Sequence, residues 1–169
     1  MVRAIIYTSN TGSTAAYAKL LGEQINLPVY PLSEARDRVS AGSEVVYMGW
    51  LMAGGIKGYK AAAKRYSICA VCGVGMGRTG TQLDEVRKSN CISSDTPLFT
   101  LQGGFDRQKL RGVYRFMMNI MAKTAGKALA EKQNRTSEED EMLSMMLHGG
   151  NRVSIENLSG ILEWYRKRT

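Results

Sequence analysis

Four short runs of this chain are almost purely apolar, and each is followed by a stretch of helical character. They read "RAIIY" at 3–7, "VVYMG" at 45–49, "SICAVCGV" at 67–74 and "PLFTL" at 97–101. A strand with one wet face alternates apolar and polar residues. A run with no polar face must be covered on both sides. Helical spacing appears at Ser13–Ile25, where Ala16, Leu20, Leu21 and Ile25 share a side, and again at 58–65, 81–89 and 155–167. A short extended segment at 27–32 holds two prolines. Strands alternating with helices define an α/β architecture, a parallel sheet with helices on both faces. The 169 residues suit one domain with a full core.

In such a fold, ligands bind beyond the carboxyl ends of the strands, where the strand order reverses. The segment Thr8-Ser9-Asn10-Thr11-Gly12-Ser13-Thr14 falls there, after the first strand and at the start of the first helix. Free backbone N–H groups and a partial positive charge make a helix N-terminus an anion site. The hydroxyls of Ser9, Thr11, Ser13 and Thr14 can add donors, and Gly12 lets the backbone approach a ligand closely. The bland alternative is helix capping, which uses the same residue types but needs only one or two of them. The loop has no Lys or Arg, so dipoles and hydrogen bonds would carry most of the neutralisation.

"SNTGST" fits the Ser/Thr-x-Thr-Gly-x-Thr phosphate loop of flavodoxins at each fixed position, through Ser9, Thr11, Gly12 and Thr14. The chain therefore resembles the flavodoxin-like family, which binds FMN non-covalently. The implied fold is a three-layer α/β/α sandwich around a five-stranded parallel sheet. "LQGGFDRQKLRGVYRFMMNIMAK" at 101–123 is similar to a narrower branch that includes menaquinone-dependent protoporphyrinogen dehydrogenases. The resemblance implies two further flavin-contacting loops. One is "GWLMAGGIKG" at 49–58, with Trp50, Leu51, Met52, Ala53, Gly54 and Gly55 as the expected contacts. In it Trp50 would stack on the isoalloxazine, and the glycines would let a peptide reorient on flavin reduction. The other is "CGVGMGRTG" at 72–80, where the backbone of Gly73, Val74, Gly75, Met76 and Gly77 would bond the pyrimidine edge. Met76 stands where ordinary flavodoxins often place an aromatic, which implies a more open flavin face.

Other motifs are weaker. Gly75-Met76-Gly77-Arg78-Thr79-Gly80 satisfies G-x-G-x-x-G, but a dinucleotide site also needs an acid near the end of the next strand, and "PLFTLQGG" has none. The glycine spacing is read instead as a flexible flavin loop. Cys69 and Cys72 form C-x-x-C within a strand. Three residues apart, they are expected on opposite faces, roughly 10 Å from each other by strand rise. That is too far for a disulfide. One histidine, His148, and three cysteines give no zinc cluster.

The formal net charge is +8. Much of it gathers at 104–127, where six basic residues, including Arg107, Lys109, Arg111 and Arg115, face one acid, Asp106. This favours an anionic partner, acidic small molecule or membrane surface over a basic partner. In the same stretch Val113, Phe116, Met117, Ile120 and Met121 follow helical spacing, with Arg115, Asn119 and Lys123 on another side. Such a helix can pack on the body or lie on an anionic membrane. No nucleic-acid motif accompanies the charge. A second helix is expected to be capped by Ser137, its first turn acidic. The whole of 105–150 is read as a helical insertion or lid beside the flavin.

No run is long and apolar enough for a transmembrane helix, and the N-terminus lacks a signal peptide's apolar core, so a cytoplasmic location is expected. Three functions remain. The first is an FMN-bound electron carrier or small flavin-dependent oxidoreductase, serving a redox partner protein or a quinone. The second is a dehydrogenase passing electrons from an acidic tetrapyrrole to menaquinone. The third is a binding module with a degenerate flavin site.

Overall fold

The computed structural model of the chain describes residues 1–104 and 112–168. The elements are β1 (Ala4–Thr8), α1 (Ser13–Ile25), β2 (Val29–Pro31), α2 (Leu32–Arg38), β3 (Glu44–Met52), β4 (Gly55–Ile56), α3 (Tyr59–Ala63) and β5 (Ser67–Gly75). They continue with α4 (Leu83–Asn90), β6 (Leu98–Gln102), α5 (Gly112–Glu131) and α6 (Ser137–His148). A 3-10 turn (Glu156–Leu158) then leads into α7 (Ser159–Arg168). Five parallel strands form the sheet in the order β2-β1-β3-β5-β6. The two-residue β4 pairs antiparallel with the end of β3. This is a flavodoxin-like three-layer α/β/α sandwich.

Strand periodicity sorts the apolar residues into two cores. Ile5, Val46, Met48, Ala70, Cys72 and Val74 turn to the face covered by α1 (Tyr17, Ala18, Leu21) and α7 (Ile161, Leu162). Ala4, Ile6, Val45, Tyr47 and Val71 turn to the face covered by α2 (Ala35), α3 (Ala62) and α4 (Val86). Wholly apolar strands thus have a helix layer on each side, as their sequence demands.

Differences from the sequence reading have local causes. The segment 27–32 yields only a three-residue edge strand, and Pro31 then serves as N-cap of α2, a helix the sequence pattern does not announce. Seven residues with one buried side chain, Ala35, leave too little periodicity to detect. At β5 the register slips: Ile68 faces Val45, and Ala70 faces Val46. Cys69 is the extra residue of this bulge. It therefore packs against the same core as Cys72, not on the opposite face. Both thiols are free: Cys69 donates to the Val45 carbonyl (3.1 Å), and burial pushes Cys72 far up its titration range. The N-cap of α6 is Thr136, one residue earlier than expected, in a reciprocal box with Glu139.

A closed ring of four hydrogen bonds binds α1 to the end of the sheet. The Gln102 N–H donates to Thr79 Oγ1 (3.0 Å), whose hydroxyl donates to Asn157 Oδ1 (2.8 Å). Asn157 Nδ2 donates to Tyr17 Oη (2.7 Å), and the Tyr17 hydroxyl donates to the Gln102 carbonyl. Burial raises the Tyr17 phenol above its ordinary range, so it keeps the proton the ring requires. Tyr17→Phe leaves the ring open and its half-buried partners short of a bond. We expect a loss of about 1–3 kcal/mol in urea denaturation. An unchanged midpoint would show that the ring contributes nothing.

Candidate functional site

The carboxyl ends of the strands line up by register. Thr8 pairs with Gly49, Gly49 with Gly73, and Gly73 with Thr100. One step further, Trp50 pairs with Val74 and Val74 with Leu101. The three segments singled out in the sequence therefore start side by side, and the hydroxyl-rich loop lies at the β1/β3 reversal.

The hydroxyls of that loop do not cap α1. Its N-cap is Gly12, in a left-handed conformation (φ 105°), with no side-chain capping bond. Nothing lies within 4 Å of where a Cβ on Gly12 would be, so the helix start is open to approach. The other side chains divide the work. Thr8 Oγ1 bonds Tyr47 Oη (2.8 Å), and the Tyr47 hydroxyl donates to the Lys57 carbonyl (2.7 Å). Because a phenol has one proton, Thr8 is the donor in the first bond. Desolvation pushes the Tyr47 phenol up to about 12, so it remains protonated. Ser13 is also engaged: its Oγ accepts from the Gly104 N–H (2.9 Å) and donates back to the Gly104 carbonyl (3.3 Å). The hydroxyls of Thr8 and Ser13 are therefore turned to the protein. Thr14 is 2% exposed. Ser9 Oγ is buried and has no hydrogen-bond partner.

A cleft of about 630 Å³ opens beside the loop, lined by Thr8, Ser9, Asn10, Gly12 and residues of the β2–α2 turn. Its size falls in the range of small-ligand sites. Thr11, Ser13 and Thr14 do not line it, and neither do residues 49–55 or 73–77.

Residues 49–58 form a β-hairpin rather than an open loop. Ala53 (φ 49°) and Gly54 (φ 75°) both have positive φ, the conformation of a tight two-residue turn, and Met52 pairs with Gly55. Asn90 holds the tip: its Oδ1 accepts from the Ile56 N–H (2.8 Å), and its Nδ2 donates to the Gly54 carbonyl (2.9 Å). A reorientation of the Gly54 peptide has to break that second bond. Leu51 turns inward over β5, where a Cβ on Gly73 or Gly75 would come within 3.0 Å of it. Those glycines make room for Leu51. Trp50 is half-buried, with the Lys57 ammonium 5.8 Å from its ring centroid.

Residues 76–81 fold back along the outer edge of β6. The Gly80 N–H donates to the Thr100 carbonyl (3.0 Å), and Thr100 Oγ1 donates to the Thr81 carbonyl (2.7 Å). Gln102 Nε2 reaches the Met76 carbonyl at 3.5 Å, while Gly77 sits beside the Thr81 and Gln82 side chains. The segment is tied down at several points, and it covers an edge that would otherwise expose unpaired backbone. Arg78 reaches α6 through Glu141 (3.2 Å) and Ser137 Oγ (3.2 Å). Arg152 also meets Glu141 (3.3 Å), and the two guanidiniums hold that carboxyl below its ordinary range.

Arg107, Lys109 and Arg111 lie outside the described residues, and the surroundings of the Arg115 side chain are likewise not described. On α5, Phe116 and Ile120 are exposed (66% and 47%), as are Asn119 and Lys123. Among the described residues, no group of three or more His, Cys, Asp or Glu could hold a metal, and no helix is long and apolar enough to cross a membrane. Tyr47 and Asn90 were not singled out from sequence, and Lys57 and Gly58 entered only as the end of the expected 49–58 loop. A tyrosine inside an otherwise apolar strand was the one available signal.

The chain matches no model of a known protein family and no curated protein.

The unpartnered Ser9 hydroxyl gives a direct test of the site without any ligand. Ser9→Ala removes a desolvated group that has lost its water and gained no bond. We expect stability in denaturant to stay level or rise by about 1 kcal/mol. A clear loss would mean that the hydroxyl has a partner within the folded chain.

Proposed function

We propose that the chain is an FMN-binding, flavodoxin-like redox protein, an electron carrier or small flavin-dependent oxidoreductase. One observation carries this reading. A loop with five hydroxyls surrounds an uncapped helix start, and one of those hydroxyls is buried with no partner. Capping would have used these side chains on the helix; an anion at the helix N-terminus uses them on a ligand. The phosphate of FMN fits that donor set. Ser9 would donate to it, with Thr11, Thr14 and the first backbone N–H groups of α1. Thr8 and Ser13 would act at one remove, anchoring the loop to Tyr47 and Gly104. Trp50 stands one residue past the strand register of Thr8, where an aromatic surface can receive a ring system.

Bound flavin supplies the electron transfer, and the protein supplies orientation and electrostatics. We further propose that an anionic partner approaches from the basic segment around Arg107, Lys109, Arg111 and Arg115. In sequence that segment follows Gly104, which Ser13 holds at the start of α1. The same local charge favours, as a second reading, an acidic tetrapyrrole as electron donor and menaquinone as acceptor, with contact at a membrane surface. In either case the protein would work in the cytoplasm.

Thr11→Val with Thr14→Val keeps shape and removes two hydroxyls. Each lost hydrogen bond to a charged group costs roughly 1.5–3 kcal/mol. FMN affinity, measured by quenching of flavin fluorescence, should fall by at least tenfold while the fold is retained. Equal affinity in the double variant and the wild type would reject the phosphate site.

A further inference from the structure

We infer that Lys57 is the cation that neutralises the phosphate group at the start of α1, and that it makes the site select a phosphorylated ligand over its dephosphorylated form. This rests on the phosphate-loop reading above and adds a residue that the loop motif does not contain.

The argument begins with charge. The loop from Thr8 to Thr14 has no basic side chain. A phosphate monoester carries close to two negative charges at neutral pH. Hydrogen bonds and one helix dipole carry most of that neutralisation, and a cation placed at the loop would take up the remainder.

Topology puts one there. The Lys57 N–H donates to the Trp50 carbonyl (3.0 Å), so β4 runs along one flank of the end of β3. The other flank is occupied by β5, through the pairing of Trp50 with Val74. The hairpin therefore returns along the flank that belongs to β1, whose last residue, Thr8, pairs with Gly49. Lys57 faces Trp50, the next residue of β3. It sits directly ahead of Thr8, about one strand step away, where the loop leaves the sheet.

Two further contacts fix it. Its carbonyl accepts from Tyr47 Oη, which in turn accepts a hydrogen bond from the Thr8 hydroxyl. The next residue, Gly58, has φ 83°, and a Cβ there would collide with Tyr47 Oη and Thr8 Oγ1. The backbone of 57–58 is thus pressed against the first residue of the loop.

The side chain is also on the correct face. Val46 and Met48 point to the core beneath α1, and Trp50 continues their alternation. Cross-strand partners share a face, and the Lys57 ammonium lies 5.8 Å from the Trp50 ring centroid. Lys57, Trp50 and the start of α1 therefore stand on one side of the sheet at its reversal point. An ordinary surface cation–π pair would need only Lys57 and Trp50. The backbone contacts to Thr8 additionally set residue 57 beside the start of the loop.

The test compares wild type, Lys57→Met and Lys57→Arg in titrations with FMN, riboflavin and inorganic phosphate over a salt series. Flavin fluorescence and calorimetry report binding, and thermal denaturation checks the fold. Lys57→Met should weaken FMN binding by about tenfold or more, leave riboflavin affinity unchanged and flatten the salt dependence. Lys57→Arg should restore most of the FMN affinity. Equal losses for FMN and riboflavin would mean that Lys57 acts only by supporting Trp50, and would overturn the inference, as would unchanged FMN affinity. If the wild type bound neither flavin but held phosphate in a Lys57-dependent way, the flavin reading would fail and the countercharge would stand. If it bound neither flavin nor phosphate, both would fall.

Discussion

The ring of hydrogen bonds through Gln102, Thr79, Asn157 and Tyr17 decides where the start of α1 sits. Its four members come from the end of β6, the loop after β5, the turn before α7 and the body of α1. Each hydroxyl and amide both donates and accepts in one direction around the cycle, an arrangement in which each bond polarises the next. With that ring closed, Ser13 meets Gly104, and the loop between β1 and α1 is stretched over the strand ends. A Cβ on Gly103 would lie 2.7 Å from Val74, and one on Gly104 would lie 2.6 Å from the Gly150 carbonyl. The two glycines are the steric condition for this closure.

A division of labour follows among hydroxyls that look alike in the sequence. Those of Thr8 and Ser13 hold the loop to the sheet hairpin and to the segment after β6. Ser9 is left buried and without a partner, next to a helix start that no side chain caps. A protein that used this loop only for structure would gain nothing from such a group, since a desolvated hydroxyl without a bond is a net cost. On the proposed reading, a ligand that accepts hydrogen bonds would resolve the tension.

Most of the fold was legible because its signals are strong and local. Apolar runs with no polar face require two helix layers, and Ser13–Ile25 carries a full helical stripe. What escaped detection depended on tertiary context. The helix α2 is short and mostly exposed. The bulge at Cys69 follows from how β5 registers against β3, and no propensity at that cysteine announces it. The site was legible to a lesser degree. Residue types and spacing marked the loop, but not which hydroxyl faces inward. The same composition at 49–58 suited an open loop or a hairpin, and tertiary contacts from Asn90 and Tyr47 hold it as a hairpin. Lys57 and Gly58 fell within the loop expected at 49–58, but their place ahead of Thr8 comes from β4 returning along the flank of β1, which the sequence does not announce.

The central claim is that the open start of α1 holds the phosphate of a flavin. The most direct measurement is the absorption spectrum of the purified protein before and after addition of FMN, with chromatographic identification of any flavin released on denaturation. The account predicts flavin bands that shift on binding, one flavin per chain at saturation, and FMN as the released compound. A colourless protein whose addition leaves the spectrum of free FMN unchanged would contradict it.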